Sequence, residues 1–199
     1  QFSVDMWKLY AGTTTGDYMV VDVRGKKTLG HCNTCSSGVL SIGCFRDSTT
    51  GQDKLMAGGG DGSITLFSMN DDGDGNGNTT MTEATGLLPG GVIALSFSPD
   101  QMEAIAGTTQ GFVYRLRTTP TAAAPNTGET PRLEPLLVSE NHSAGIVAVA
   151  YASEESDRFA SISYDRTIRI WDASDYSVVT KAVVVVSGNV EPSSLAYSL

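Results

Sequence analysis

The sequence predicts an all-β repeat array, a β-propeller or another stack of small sheets. Four stretches of the chain are versions of one another. They are Leu9-Tyr10-Ala11-Gly12-Thr13-Thr14-Thr15-Gly16-Asp17, Leu55-Met56-Ala57-Gly58-Gly59-Gly60-Asp61-Gly62-Ser63-Ile64-Thr65-Leu66-Phe67, Ala104-Ile105-Ala106-Gly107-Thr108-Thr109-Gln110-Gly111-Phe112-Val113-Tyr114 and Phe159-Ala160-Ser161-Ile162-Ser163-Tyr164-Asp165-Arg166-Thr167-Ile168-Arg169-Ile170-Trp171-Asp172. Each is a short apolar strand, a tight turn rich in Gly or Asp, and a second, alternating strand. The equivalent positions 12, 58, 107 and 162 lie 46, 49 and 55 residues apart. One such hairpin cannot bury its own apolar faces, so hairpins recurring at this spacing stack on one another.

Taken in order, the hairpin units fall near 9–23, 55–68, 104–117 and 159–172 of one domain spanning 1–199. Leu95-Ser96-Phe97-Ser98-Pro99-Asp100 reads as a strand and turn leading into the third unit. Gly145-Ile146-Val147-Ala148-Val149-Ala150-Tyr151 alternates like an inner strand leading into the fourth. Phe112, Tyr114 and Leu116 are apolar at the parity opposite to Ile168 and Ile170, which suggests a bulge or a shifted register in the third unit. Two polar insertions, 70–80 and 118–131, account for the longer spacings and are expected between blades, where loops lengthen at small cost. Ala182-Val183-Val184-Val185-Val186 reads as a buried strand. Glu191-Pro192-Ser193-Ser194-Leu195-Ala196-Tyr197 looks like the inner strand of a fifth unit.

The fourth unit, ending Ile168-Arg169-Ile170-Trp171-Asp172, closely resembles the end of a WD40 repeat, and Asn141-His142 sits where such repeats carry Gly-His. Phe67-Ser68 and Val21-Asp22 stand where Trp-Asp is expected. The resemblance implies four-stranded antiparallel blades around a central channel. Seven blades need roughly 280 to 300 residues. The expectation is therefore an incomplete WD40 β-propeller, about four blades plus part of a fifth, belonging to a longer protein. The order and content of the units further resemble the double-propeller WD-repeat proteins of the ciliary and flagellar axoneme. The matching runs are 12–17, Leu88-Pro89-Gly90-Gly91-Val92-Ile93-Ala94-Leu95, and Ala106 onward to Arg115-Leu116.

Composition narrows the function classes. The net charge is −9 with no basic stripe, which argues against nucleic acid, whose phosphates call for clustered Lys and Arg. The same charge complicates contact with acidic tubulin, leaving local groups such as Arg24, Lys26 and Lys27 or intermediary proteins. No apolar run reaches the roughly 18 residues of a membrane span. Three cysteines do not suggest a disulfide framework and fit a reducing, cytoplasmic compartment.

Four constellations invite chemistry. Asp72, Asp74, Asn76, Asn78, Thr80 and Glu83 match the spacing of a calcium loop, in which alternating oxygens and a final carboxylate surround a hard cation. A Gly-rich, solvated insertion matches it equally well. His31, Cys32, Cys35 and Cys44 count as four zinc ligands, but Cys44 sits on an expected strand, and the bland reading is two loop thiols and one half-buried strand thiol. The run 58–63 suggests a phosphate cradle, yet it lacks the P-loop Lys and precedes a strand, so it reads as a hairpin turn. His142, a strand serine (Ser161 or Ser163), Asp165 and Trp171 superficially form nucleophile, base and orienter. The WD40 resemblance implies instead a structural tetrad: Asp165 holds the imidazole, the imidazole the serine, and the serine the indole.

The functional expectation is a non-enzymatic scaffold. The axonemal resemblance implies a microtubule inner protein that braces the doublet at the inner junction in cilia or flagella. Its partners would be tubulin, the parkin co-regulated protein and enkurin, with no nucleic acid, membrane or cofactor beyond the calcium loop. The alternative is an intracellular WD40 adaptor in a signalling, trafficking or ubiquitin-ligase complex.

Overall fold

The computed structural model describes residues 3, 6–47, 49–71, 78–120, 129–138, 141–152, 157–183, 192, 194 and 195. Among them are fifteen strands in four antiparallel sheets. The first sheet orders β1 (Lys8–Gly12), β2 (Asp17–Asp22) and β3 (Lys27–Asn33). The second orders β4 (Val39–Arg46), β5 (Asp53–Gly59), β6 (Ser63–Asp71) and β7 (Asn78–Leu87). The third is β8 (Val92–Phe97), β9 (Glu103–Thr108), β10 (Val113–Arg117) and β11 (Leu136–Leu137). The fourth is β12 (Ile146–Tyr151), β13 (Arg158–Ser163), β14 (Thr167–Asp172) and β15 (Val178–Val183). The repeated hairpins are β1–β2, β5–β6, β9–β10 and β13–β14.

The two-residue period of a strand explains why these hairpins are apolar on both faces. Leu55 and Ala57 of β5 enter a core with Tyr10, Tyr18 and Val20 of the first sheet. The intervening Met56 turns the other way, into a core with Ala104, Ala106 and Leu116 of the third. Ile105, between those alanines, faces Ile146, Val149, Phe159 and Trp171 of the fourth sheet. Three cores therefore alternate with the sheets, and each inner sheet is glued on both sides. Aromatic pairs cross two of the seams, Tyr18 on Phe67 and Phe45 on Phe97, both at 4.8 Å between ring centroids. Such pairs add about 0.5–1.5 kcal/mol to their burial.

Register makes the repeats comparable residue by residue. Val21 opposes Leu9, Phe67 opposes Leu55, Leu116 opposes Ala104 and Trp171 opposes Phe159. The β9–β10 pairing runs without a bulge, as does β13–β14. The opposite apolar parity of the third unit thus needs no shifted register. Both faces of β10 are covered, Val113 by one neighbour and Tyr114 and Leu116 by the other, so either parity is accommodated. The bulges lie elsewhere, on the inner strands (between Val39 and Ser41, Val92 and Ala94, Ile146 and Ala148) and in the outer pairings (at Val20/Val21, Leu66/Phe67 and Ile170/Trp171).

Two other expectations are corrected. The insertions do not separate sheets: 70–80 spans the β6–β7 hairpin tip and 118–131 lies between β10 and β11, each inside one sheet. Ala182 and Val183 are not buried; they end β15, whose outward side chains are solvent-exposed, with Val183 66% exposed. Among the described residues β15 is the last strand of its sheet. The expected fifth inner strand at 191–197 falls mostly outside the described residues.

One turn position docks sheet on sheet. Gly16, Gly62 and Gly111 occupy the same place in successive hairpins, with φ of 92°, 86° and 88°. Their carbonyls accept the N–H of Cys35, Leu88 and His142 from the loop entering the next sheet, at 3.3, 2.9 and 3.0 Å. A Cβ on any of them would lie within 2.6 Å of a carbonyl oxygen of that loop. Glycine is required twice, for the left-handed backbone and for the close approach. The fourth hairpin places Arg166 there at φ 64°.

Candidate functional site

The polar groups with the most connected geometry lie on the fourth sheet. β13 carries Ser161 and Ser163, β14 begins at Thr167 and reaches Trp171, and the turn between them supplies Asp165. His142 arrives from the loop before β12, already fixed by its N–H on Gly111. Its Nδ1 lies 3.0 Å from Asp165 Oδ2 and its Nε2 2.7 Å from Ser161 Oγ. The Trp171 indole N–H donates to the same Ser161 Oγ at 2.9 Å. Because the carboxylate only accepts, Nδ1 carries the ring proton and Nε2 accepts from the serine hydroxyl. Every donor in the line then has an acceptor, with a neutral imidazole in the middle.

Titration follows from the surroundings. Burial pushes the His142 pKa below its ordinary value, against the opposing pull of Asp165. Burial alone would raise Asp165, but the Thr167 hydroxyl and the Ser143 and Thr167 N–H groups all donate to it. These bonds, with the nearby imidazole, hold it at about 2. The pair is a neutral base beside a firmly ionised acid, ordered for holding rather than for proton transfer.

Of the two candidate serines, Ser161 is the one in the line. Ser163 donates to the Ala144 and Gly145 carbonyls at 2.8 and 2.9 Å and accepts the Asp165 N–H. It pins the loop that delivers His142. Thr167 escaped the sequence reading although it belongs to the network: its Oγ1 donates to Asp165 Oδ1 at 2.6 Å and lies 3.1 Å from His142 Nδ1. The available signal was an Asp followed two residues later by Thr at a turn, a pairing in which the second hydroxyl reaches the first carboxylate. Ser161 and Trp171 are fully buried, and the serine oxygen has both its neighbours in place. A nucleophile needs an open approach; this hydroxyl has none.

The other constellations can be placed residue by residue among the described residues. Asp72, Asp74 and Asn76 lie outside the described residues. Asn78 and Thr80 belong to β7, paired with Asp71 and Met69, and Glu83 lies further along the same strand. An extended strand carries Glu83 about 16 Å along β7 from Asn78. The Glu83 carboxylate instead pairs with Lys54 Nζ at 2.7 Å, as does Asp47. Lys54 draws Asp47 down to about 2. Cys32 is not a loop thiol as expected but stands on β3, paired with Tyr18, and Cys44 stands on β4, while the Cys35 thiol donates to the Gly16 and Ser37 carbonyls. Among the described residues no three His, Cys, Asp or Glu side chains gather as a metal site. The run 58–63 is the β5–β6 turn, in which Asp61 accepts from Ser36 and Ser63. Among the described residues no helix is long and apolar enough to cross a membrane.

Residues 133–172 match the family described as WD domain, G-beta repeat. The matched unit starts in the return to β11 and ends with β14, so it straddles two sheets. This one-strand offset is why an insertion lying between sequence repeats lies inside a sheet. A comparison with curated proteins gives no match. Among solved structures 1401 chains match, so the fold is widespread and does not by itself select a function. One, from a crystal structure of the mitotic checkpoint complex, superposes with a TM-score of 0.70 at 19% identity, over 92% of this chain and 50% of that one. This chain therefore spans half the length of that solved chain. Residues 133–172 form a WD40 repeat, and the chain has the all-β fold of a stretch of WD40 β-propeller.

Proposed function

We propose that the chain serves a non-enzymatic scaffold of the ciliary or flagellar axoneme, similar to cilia- and flagella-associated protein 52. In this reading it is a microtubule inner protein that braces the doublet at the inner junction through protein–protein contacts. The observation that carries its non-enzymatic part is the closed His142–Ser161–Trp171 line. The most enzyme-like residues of the described chain are spent on joining a loop, a turn and two strands. Stacked sheets with cores at each seam supply a stiff body with several rims, which suits bracing. The axonemal part rests on the order and content of the repeat units. Tubulin, the parkin co-regulated protein and enkurin are the partners of this reading.

Cross-linking in intact axonemes tests it. Zero-length cross-links from the full-length protein to tubulin and the parkin co-regulated protein are expected. Cross-links confined to outer-surface or cytosolic proteins would overturn the axonemal placement. That outcome would favour the second reading, an intracellular WD40 adaptor in a signalling, trafficking or ubiquitin-ligase complex, for which the widespread fold speaks.

A further inference from the structure

The seam between the third and fourth sheets opens at one end into a cleft of about 460 Å³. It lies where the β8–β9 turn, with Asp100, meets the β14–β15 turn, with Tyr176. Glu103, Arg115, Tyr151 and Asp157 also line it. Both sheets that form it have four strands, so it is a gap between complete sheets. One wall is already balanced in charge. Glu103 pairs with Arg115 and accepts the Tyr176 hydroxyl. The Arg115 guanidinium lies over the Tyr176 ring, 4.8 Å from its centroid.

The remaining carboxylates are not balanced. Asp100 accepts the Ser98 hydroxyl and the Met102 N–H at 2.6 and 3.0 Å, both on Oδ1. These bonds hold its pKa below the ordinary carboxylate value and leave Oδ2 unused among the described residues. Asp157 is exposed, and Arg158, the next residue, stands opposite Asp172 instead. Neither Asp100 nor Asp157 makes an ion pair among the described residues. Ser153-Glu154-Glu155-Ser156, just before Asp157 in the sequence, brings no cation. The Tyr151 hydroxyl adds a further acceptor, buried with no hydrogen-bond partner among the described residues.

Two carboxylates and a phenol oxygen lining one cleft suit a cation with several donors. They do not gather as a metal site among the described residues. A guanidinium offers five N–H donors in one plane and lies well against aromatic walls, whereas an ammonium is a compact point charge. The net charge of −9 attracts a ligand of the same sign from a distance. We propose that this cleft receives an arginine side chain of a partner protein, its guanidinium shared by Asp100, Asp157 and the Tyr151 hydroxyl. The proposal rests on the scaffold reading only in taking a protein as the ligand.

The test uses the full-length protein and N-acetyl-L-arginine amide, which carries one guanidinium and no other charge, followed by saturation-transfer NMR. Binding that weakens roughly tenfold in the Asp100→Asn/Asp157→Asn double variant is expected, as for loss of two partly exposed charge contacts. Asparagine keeps the acceptor that the Asp100 turn uses, and an unchanged melt of the variant shows that folding is not the cause. Should the double variant melt lower, Asp157→Asn alone, at an exposed residue, carries the test with a roughly threefold loss. Capped citrulline, of the same shape without the charge, should not bind, and capped lysine should bind more weakly. No binding of capped arginine, or binding indifferent to these variants, overturns the proposal. So does capped lysine that binds as tightly. Free arginine that binds more tightly than the capped form makes the ligand an amino acid rather than a protein side chain, and overturns it too. A protein that stays on doublet microtubules yet ignores capped arginine overturns the cleft alone and leaves the scaffold standing.

Discussion

At the scale of single residues, the account turns on His142, Ser161, Asp165 and Trp171. Replacing Ser161 with Ala leaves the buried indole N–H and imidazole nitrogen without partners. We expect a loss of about 2 kcal/mol in thermal or denaturant unfolding, the cost of unsatisfied buried polar groups. Asp165→Ala removes the acceptor for His142, Thr167 and Ser143 at once and should cost at least as much; an unchanged melt would refute the network. The pH response has a definite sign. A folded-state pKa below the unfolded value means that the unfolded chain takes up the proton first. The His142 contribution is therefore complete above about pH 6.5 and fades as the solution is acidified through its lowered folded value. The Asp165 contribution fades later, as the pH falls from about 4 toward 2. The melting temperature should fall below pH 6.5, and His142→Gln should flatten the first part of that slope. The residue types of this network were legible because the fourth unit resembles a WD40 repeat, and that resemblance implies a tetrad of His142, a strand serine, Asp165 and Trp171. The choice of Ser161 over Ser163 was not. Both lie on the same face of β13, and only their depth against Trp171 separates them.

At the scale of elements, the decisive part is the turn that hands each sheet to the next. Gly62 and Gly51 both have positive φ, at 86° and 69°. A Cβ on Gly62 would meet the Leu88 carbonyl oxygen at 2.2 Å, whereas one on Gly51 meets nothing within 4 Å. Gly51→Ala should therefore cost only the backbone term, about 1 kcal/mol. Gly62→Ala adds a clash with the next sheet and should cost about 3 kcal/mol or more, measured by urea unfolding. Equal losses would mean that the turn does not dock the sheets. The hairpins themselves were legible from alternation and turn residues, because both are local. The placement of the insertions was not, since whether a loop joins strands of one sheet or of two depends on which distant strand the chain rejoins. The exposure of Ala182 and Val183 misled for the same reason: a run of apolar, β-branched residues specifies a strand, and only its neighbours decide whether it is covered.

At the scale of the whole molecule, four sheets and the three cores between them make a body held together at its seams. The repeat character and the WD40 fold could be read from the chain because self-similarity survives the loss of Trp-Asp in the first three units. The partners could not, since rim side chains have no period or spacing that folding imposes. The axonemal scaffold is tested most directly by tagging the full-length protein in a ciliated cell and extracting demembranated axonemes with high salt. The tag is expected to stay with the doublet microtubules while outer-surface proteins wash away. A tag that leaves with the first salt wash, or never reaches the axoneme, would contradict it.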